Sequence, residues 1–457
     1  MTANLNSLNG KKHIHFIGIG GSGMYPLAQI LHSRGFYLTG SDNNETETLD
    51  AVRKMGIPVF LGQRKENIKG ADLIVYSAAI MSDNEELIAA KESGALVLER
   101  SALLGMVSAS FDNAICISGT HGKTTVSSML TQIFMEAERD PAVVIGGKLD
   151  IIGGSGRVGK SEDFICEACE YVDTFLKLSP DVSVILNIDF DHMEYFKTKE
   201  RLIGSFAKFS ENASRLVIYN GDDEKTIEAV EKIAENKKVS FGYNSSNKYF
   251  PENIDLSSPI NPKFSLFSEN KKLFDITLSV PGEHNIINAV CAAAVALECG
   301  ISPNAIISAL KNFKGAHRRF EILGTVGGVT IADDYAHHPA ELKVTLETAK
   351  KLGFNRVIAV FQPFTFSRTS MLLNEFADAL SIADKTVLSA IMGSREKNTF
   401  GIKSADLAEK IPECVHFETF EEIKDFCLKF AEKGDLIITL GCGDIYKAAR
   451  LMLLYQQ

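Results

Sequence analysis

One glycine-rich heptapeptide decides the fold expected around it: Gly119-Thr120-His121-Gly122-Lys123-Thr124-Thr125. Apolar periodicity predicts a strand over 114–118 just before it and a helix over 124–137 just after it. A glycine-rich turn between a strand and a helix directs backbone N–H groups and the helix N-terminus at a phosphate. Lys123 is then suited to reach the β- and γ-phosphates of ATP, and the Thr124 hydroxyl to bind Mg²⁺. Ile117 stands where the general loop pattern has its first glycine, and a simple helix cap is the alternative interpretation.

A second glycine-rich loop lies near the N-terminus: Gly18-Ile19-Gly20-Gly21-Ser22-Gly23. It follows a predicted strand over 13–19 and precedes a predicted helix over 24–34. Its glycines would let the backbone approach a diphosphate, and Asp42, at the end of the next predicted strand, could accept from a ribose hydroxyl. Alone, the loop suits NAD or FAD, another nucleotide, or a tight turn. Beside an ATP loop, it is better explained as the diphosphate site of a nucleotide-linked substrate.

The alternation of β-rich and amphipathic helical runs along 457 residues predicts an α/β protein with parallel sheets. At roughly 100–200 residues per domain, the length suggests about three domains. We place them at 1–113, 114–316 and 317–457. Between 244 and 281 the pattern changes to alternating apolar residues, which predicts inserted hairpins.

The composition excludes several classes of protein. Lys and Arg total 48 against 58 Asp and Glu, a net charge of −10, whereas a general nucleic-acid binder needs a basic surface. Residues 1–12 are polar, unlike a secretory signal, and the most apolar helical stretch, 289–297, is shorter than the roughly 20 residues that cross a bilayer. Of eight cysteines, only Cys166 and Cys169 have CxxC spacing, without the further ligands of a zinc site. We expect a cytoplasmic protein with no nucleic-acid or membrane partner.

Carboxylates and a histidine follow two predicted strands of the middle domain. Glu167 ends one strand, and Asp189, Asp191 and His192 follow the next. Ligands of open α/β sheets gather beyond the carboxyl ends of the strands, so these side chains could converge on the phosphates. Such groups suit a magnesium-bridged nucleotide. A solvated strand end for Glu167, a packed or capping His192, and aspartates that only cap helices are the alternatives.

Further polar residues cluster at predicted helix starts and at the last domain boundary. His284 and Asn288 lie one helical turn apart and could contact a nucleotide or form a core hydrogen-bond network. Arg318 and Arg319 could hold phosphate or form surface salt bridges. Three residues that follow strands of the third domain are expected to contact a ligand: Tyr335, His337 and Arg368.

Together these motifs resemble those of the ATP-dependent Mur ligases of bacterial cell-wall synthesis, over nearly the whole chain. The segments that carry the resemblance are 15–24 (HFIGIGGSGM), 119–125 (GTHGKTT), 167–171 (EACEY), 187–192 (NIDFDH), 281–285 (PGEHN), 318–320 (RRF) and 333–339 (DDYAHHP). The heptapeptide combined with the double histidine is specific, whereas the first glycine fingerprint alone is not. Family members often carry His and a basic residue where this chain has Phe364 and Thr365.

The resemblance implies three α/β domains: a Rossmann-like N-terminal domain for a UDP-linked substrate, a central P-loop ATPase domain, and a Rossmann-like C-terminal domain closing over the ATP and amino-acid site. It implies ATP and Mg²⁺ as cofactors. It places at the UDP-substrate site Gly20, Ser22, Gly23, Asp42, Ser77 and Arg100. It implies catalytic roles for Lys123, Glu167 and His192, of which the last two bind metal together with Thr124. It adds nucleotide contacts from His284, Asn288 and Arg319, and substrate or phosphate contacts from Tyr335, His337 and Arg368.

The branch of the family that the chain resembles most joins L-alanine to UDP-N-acetylmuramate through an acyl phosphate, giving ADP and phosphate in cytoplasmic peptidoglycan precursor synthesis. A murein peptide ligase, which adds a tripeptide to UDP-N-acetylmuramate, is the nearest alternative. An NAD-dependent oxidoreductase with a regulatory ATP domain and a nucleotide-gated binding protein are alternatives from other classes. His192 and His337 are the candidate bases for the attacking amine.

Overall fold

Three β-sheets with helices connecting their strands make up this computed structural model. The structure describes residues 5–8, 10–394 and 396–455. The chain forms two compact units. The first unit comprises Met1–Asn253, Phe264–Ile276 and Ile287–Phe313, and the second comprises Ile254–Lys263, Thr277–Ile286 and Lys314–Gln457.

The first sheet has five parallel strands: β1 (His13–Ile17), β2 (Tyr37–Asp42), β3 (Val59–Leu61), β4 (Leu73–Tyr76) and β5 (Leu96–Glu99). Its helices are α1 (Tyr25–Ser33), α2 (Glu47–Lys54), α3 (Glu85–Glu92) and α4 (Arg100–Ser108). The strand order is β3-β2-β1-β4-β5. Strands β2 and β3 lie on one side of β1, and the chain then crosses to the other side, where β4 and β5 lie. Such a switch point opens a crevice at the carboxyl end of β1, where the first glycine loop lies.

The second sheet has ten strands in the order β15-β14-β13-β12-β11-β10-β6-β9-β7-β8. These are β6 (Asn113–Ser118), β7 (Ala142–Leu149), β8 (Gly154–Arg157), β9 (Asp163–Glu167), β10 (Val182–Ile185), β11 (Leu216–Asn220), β12 (Lys238–Phe241), β13 (Tyr249–Asp255), β14 (Lys263–Ser268) and β15 (Lys271–Thr277). The helices are α5 (Lys123–Glu136), α6 (Met193–Phe196), α7 (Lys199–Glu211), α8 (Glu224–Ala229), α9 (His284–Glu298) and α10 (Pro303–Asn312). Strand β6 is buried along almost its whole length between parallel β9 and β10, which accounts for its unbroken apolar run.

The third sheet has six strands: β16 (Glu321–Val326), β17 (Val329–Asp334), β18 (Val357–Phe361), β19 (Lys385–Ser389), β20 (Val415–Phe417) and β21 (Leu436–Leu440). Its helices are α11 (Pro339–Lys351), α12 (Phe366–Met371), α13 (Leu373–Leu380), α14 (Ser404–Ala408), α15 (Phe420–Phe430) and α16 (Tyr446–Leu454). The strand order is β16-β17-β21-β18-β19-β20. Among the described residues of this sheet, β16 alone pairs antiparallel with its neighbour, and the other pairs are parallel.

The predicted α/β class with parallel sheets is confirmed. The strand predicted over 13–19 ends at Ile17, because Gly18 takes φ +83° and turns the chain into the glycine loop. The hairpin-like pattern before the PGEHN motif corresponds to β13, β14 and β15, which are successive neighbours in the second sheet. Among the described residues, no helix is both long and apolar enough to cross a membrane.

Candidate functional site

The first glycine loop is fastened to the end of β2. The N–H groups of Gly18 and Ile19 both donate to the Ser41 carbonyl, at 2.8 and 3.0 Å. The Gly20 N–H donates to Asp42 Oδ2 at 3.0 Å, and a Cβ atom at Gly20 would lie 3.0 Å from the same oxygen. The missing side chain therefore lets the carboxylate approach the loop, and Gly20 and Asp42 lie in direct contact.

Ser77 and Arg100 lie against the same loop. A Cβ atom at Gly23 would be 3.1 Å from Arg100 Nη1, so the guanidinium covers this glycine. A Cβ atom on the first glycine of the loop would be 3.8 Å from Ser77 Cβ. Ser22 is exposed in the loop, and its carbonyl accepts from Ser155 Oγ at 3.2 Å. The six residues expected to bind the UDP substrate thus gather at one edge of the first sheet.

A buried polar network beneath this loop was not predicted. His15 Nε2 lies 2.8 Å from Glu86 Oε1, and His15 Nδ1 lies 2.7 Å from Thr39 Oγ1. The second Glu86 oxygen accepts from Ser41 Oγ at 2.6 Å, and both His15 and Glu86 are fully buried. The network therefore holds the strand end whose carbonyl anchors the glycine loop. Polar residues inside two otherwise apolar strand patterns were the available sequence signal, since buried polar groups need partners.

The second glycine loop joins β6 to α5 in backbone conformations that favour glycine. Gly119 has φ +135° and Gly122 has φ +87°. A Cβ atom at Gly119 would lie 2.9 Å from Leu186 Cβ, and one at Gly122 would lie 2.9 Å from Asn288 Oδ1. Asn288, predicted from its place on α9, is therefore brought directly to the loop.

The side-chain amide of Asn187, which follows strand β10, forms two hydrogen bonds with the second glycine loop. Its Oδ1 accepts from the His121 N–H at 2.8 Å, and its Nδ2 donates to the His121 carbonyl at 3.1 Å. The Asp189 N–H donates to Thr120 Oγ1 at 2.8 Å. His121 Nε2 lies 3.6 Å from Asp189 Oδ2, and this contact holds the pKa of the Asp189 carboxyl well below its usual range. The NIDFDH motif thus shapes the loop through Asn187, a role that its place in the sequence does not reveal.

Lys123 folds back over its own loop. Its Nζ donates to the Gly119 carbonyl and to the Thr120 carbonyl, the latter at 3.2 Å, and pairs with Glu170 Oε2 at 3.0 Å. Burial is the largest single influence and disfavours the ammonium, but the charge and hydrogen bond of Glu170 together with the charges of Cys169 and Glu167 outweigh it, so the pKa of Lys123 is raised. The side chain remains a cation beside the position where the loop N–H groups would receive phosphate.

Thr124 and Glu167 meet at the start of α5. Thr124 Oγ1 donates to Glu167 Oε2 at 3.2 Å, and Oε1 accepts from the Gly146 N–H at 2.6 Å and from Ser127 Oγ at 3.3 Å. A hydroxyl and a carboxylate are hard oxygen ligands of the kind that Mg²⁺ prefers. The residues present therefore fit the predicted cation, although the described part of the chain contains no preassembled group of three or more His, Cys, Asp or Glu ligands.

His192 lies at the start of α6 with φ +57°. Its ring centroid is 4.7 Å from that of Tyr171, and its Nε2 is 3.7 Å from Asp191 Oδ2. Tyr195, on the same short helix, donates to Asp173 Oδ2 at 2.6 Å. The structure therefore places His192 in an aromatic contact, and its role toward metal stays a prediction.

His284 and Arg319 belong to the second unit, as do all the third-domain candidates. His284 is exposed at the first turn of α9, and a Cβ atom at Gly282 would lie 2.5 Å from its Cε1. Arg319 Cζ lies 5.3 Å from the Tyr335 ring centroid. Arg318 covers the same ring at 5.0 Å and donates to the buried Asp333 Oδ2 at 2.8 Å. Both adjacent arginines thus make cation–π contacts with the Tyr335 ring, and Arg318 also forms an ion pair with the buried Asp333.

The two adjacent histidines, His337 and His338, make different contacts. His337 Nδ1 lies 3.2 Å from Glu341 Oε2, while His338 caps α11 by accepting from the Ala340 N–H at 3.3 Å. Arg368 lies on α12, whose N-cap Thr365 accepts from the Arg368 N–H at 3.4 Å. Thr365 therefore has a capping function in this chain. The contacts of Tyr335, His337 and Arg368 with substrate stay predictions.

Comparison with known proteins places these sites in a family. Residues 13–112 match the model "Mur ligase family, catalytic domain", residues 117–296 the "Mur ligase middle domain", and residues 318–443 the "Mur ligase, glutamate ligase domain". A UDP-N-acetylmuramate–L-alanine ligase of Clostridium botulinum is 42% identical over 449 residues, which cover 97% of each chain.

Two solved structures are similar along almost their whole lengths. The UDP-N-acetylmuramate–alanine ligase of Thermotoga maritima has a TM-score of 0.82 at 28% identity, covering 98% of this chain and 99% of that one. A murein peptide ligase of Psychrobacter arcticus has a TM-score of 0.76 at 23% identity, covering 97% and 98%, and shows a shared fold. With three consecutive family models matched and a 42% identical relative over nearly its full length, this chain belongs to the Mur ligase family.

Proposed function

We propose that this chain joins L-alanine to the carboxyl group of UDP-N-acetylmuramate at the expense of ATP, giving ADP and phosphate in peptidoglycan precursor synthesis. The main support is that the first unit contains two phosphate-type loops. One lies beside Asp42 and Arg100, and the other is surrounded by Lys123, Thr124 and Glu167. One loop suits the diphosphate of a nucleotide-linked acid and the other suits ATP. The relative that is 42% identical is a ligase of this name.

The chemistry requires activation of a carboxylate, because oxide is a very poor leaving group. Transfer of the γ-phosphoryl group of ATP to the carboxylate gives an acyl phosphate, which amine attack converts to an amide with loss of phosphate. Negative charge builds on the transferring oxygens, and preorganised cations and N–H groups stabilise it. Lys123 supplies the cation, and the loop at Gly122 supplies N–H donors at the start of α5.

Thr124 and Glu167 would hold Mg²⁺ through their hydroxyl and carboxylate oxygens, and we propose His192 as a third metal residue. When bound, the ion neutralises phosphate charge. On this proposal ATP also contacts the rest of the heptapeptide together with His284, Asn288 and Arg319, while the six residues of the first glycine-loop site hold the UDP substrate.

The second unit is proposed to contact substrate or phosphate through Tyr335, His337 and Arg368. The amine of L-alanine must lose a proton as it attacks, and His192 and His337 are the proposed bases. We further propose that residues 1–113 form the domain that binds the UDP substrate, residues 114–316 the domain that binds ATP, and residues 317–457 the C-terminal domain. We also propose that the protein acts in the cytoplasm, where ATP and nucleotide sugars are available.

The test is phosphate release with ATP, Mg²⁺ and UDP-N-acetylmuramate, with L-alanine, glycine, L-serine or a murein tripeptide as the amine donor. We expect release with L-alanine, and weaker release with glycine and serine, since one methyl group gives limited discrimination. The second candidate is a murein peptide ligase, and the Psychrobacter structure supports it no further than a shared fold. Release with the tripeptide alone would replace the proposed function with that one.

A further inference from the structure

The hairpin formed by β7 and β8 contacts both glycine-loop sites of the first unit. On β7, the Gly146 N–H donates to Glu167 beside the ATP loop at 2.6 Å. On β8, Ser155 Oγ donates to the Ser22 carbonyl of the first glycine loop at 3.2 Å. A Cβ atom at Gly156 would lie only 2.3 Å from Pro26 at the start of α1, so the two elements are in close contact. The hairpin therefore spans the distance between the two sites.

Lys148 leaves this hairpin two residues beyond Gly146, whose N–H donates to Glu167. Gly146 and Lys148 are exposed, whereas Ile145 and Leu149 are buried. The pairing of β7 with β8 shifts register between Val144 and Leu149, so regular alternation of faces does not apply there. Two residues of extended chain span about 7 Å, so Lys148 leaves the backbone within that distance of Gly146, whose N–H binds Glu167.

The Lys148 ammonium ends near the first glycine loop. Its Nζ lies 3.2 Å from Glu47 Oε2 on the first residue of α2. The preceding residue, Thr46, places its Oγ1 3.4 Å from the Cβ position of Gly20. The Lys148 backbone thus lies two residues from the N–H group that binds the ATP-site carboxylate, and its ammonium ends beside the loop proposed to hold the substrate diphosphate.

The pair with Glu47 does not hold the ammonium firmly. The two side chains are 56% and 80% exposed, and exposed ion pairs contribute little net stability. An anion arriving between the two sites can therefore take the ammonium from Glu47. In the proposed reaction that anion is the carboxylate of the sugar nucleotide, which must approach the γ-phosphate against the negative charge of Glu167.

We propose that Lys148 binds the reacting carboxylate of the UDP-linked acid and holds it for phosphorylation. This inference rests on the proposed function, because that function requires a carboxylate between the two loops. Lys148 is then a substrate-contacting residue, and Glu47 is its partner only in the absence of substrate.

The test compares Lys148→Gln with Glu47→Gln in direct calorimetric binding without ATP or metal. UDP-N-acetylmuramate and UDP-N-acetylglucosamine are the probes, since the second lacks the carboxylate. We expect Lys148→Gln to weaken binding of the first probe about ten- to a hundredfold, the range for loss of a charge-assisted hydrogen bond, and to leave the second within about twofold. Lys148→Arg should retain most of the affinity, and Glu47→Gln should not weaken binding.

Three results would overturn the proposal. Equal weakening of both probes by Lys148→Gln would assign the ammonium to the diphosphate. Unchanged binding of both would make Lys148 a surface residue, and equal losses in Lys148→Gln and Glu47→Gln would make the pair a structural link. Alanine-dependent phosphate release by the unaltered chain separates the two hypotheses: without it the proposed function fails, whereas with it only the Lys148 assignment is at stake.

Discussion

The substitution Gly146→Ala tests whether the position of Glu167 matters, by adding one methyl group. Gly146 does not have a positive φ, so alanine fits its backbone conformation. The added Cβ would lie 2.7 Å from Glu167 Oε2, whereas ordinary contact begins at 3.4 Å. The carboxylate must therefore retreat by about 0.7 Å, the difference between those distances. Its bonds to Thr124 and Ser127, now 3.2 and 3.3 Å long, must rearrange with it.

Moving one of the reacting groups by close to 1 Å lowers the reaction rate by up to about a hundredfold. We expect Gly146→Ala to lower kcat about ten- to a hundredfold, to raise the Mg²⁺ concentration needed for half-maximal rate, and to leave binding of UDP-N-acetylmuramate without metal nearly unchanged. The assay is phosphate release over a Mg²⁺ titration at saturating ATP, with binding of the UDP substrate followed by calorimetry.

Gly154→Ala is the matched control in the same hairpin. Gly154 also lacks a positive φ, and a Cβ atom there would meet nothing within 4 Å. We expect this control to keep the kcat and Mg²⁺ dependence of the unaltered chain. If Gly146→Ala behaves like Gly154→Ala, then Glu167 does not act through the position observed here, and the metal assignment of Thr124 and Glu167 loses its support.

Three further predictions follow from the same geometry. Lys123→Ala should abolish phosphate release while leaving calorimetric binding of UDP-N-acetylmuramate within about twofold, since the cation lies on the ATP loop; retained turnover would contradict the ATP-site assignment. Gly20→Val should raise the KM for UDP-N-acetylmuramate at least about tenfold and change that for ATP little, because its side chain would crowd Asp42; a selective effect on ATP would show that the first loop has been misassigned. Burial raises the pKa of Asp334 to about 6 despite the opposing charge of Arg319, so its stabilising contribution is present below pH 3.8 and is lost as pH rises through about 6. The free energy of unfolding of the unaltered chain relative to Asp334→Asn should accordingly fall by about 2 kcal/mol between pH 4 and 7, and a constant difference would refute the raised pKa.

The sequence predicted the phosphate-type loops correctly because each loop depends mainly on residues that are close together in the chain. The heptapeptide around Lys123 needs only its own glycines and the two flanking periodic patterns, and β6 and α5 form on either side of it. The same holds for the first loop between β1 and α1. Asn288, predicted from a helical face and the family resemblance, indeed reaches Gly122.

The partners of these loops depended on the packing of distant segments. Glu86 reaches His15 across 71 positions, Asn187 reaches His121 across 66, and Glu170 reaches Lys123 across 47. No local pattern encodes which strand lies beside which, so the sequence alone could not pair these residues. Gly146 shows this most clearly: in the sequence it is one of two adjacent glycines in an apolar run, and only strand packing places it against Glu167.

The sequence by itself thus determined the α/β class, the two phosphate-type loops and most of the residues that line them, because backbone turns and strand–helix junctions depend on neighbouring residues. Tertiary structure alone decided which side chains hold those loops in place: the His15–Glu86 network, the Asn187 amide, and the hairpin that carries Gly146 and Lys148 between the two sites. Those contacts depend on strand order and register, which burial of the whole core settles and which no single segment contains.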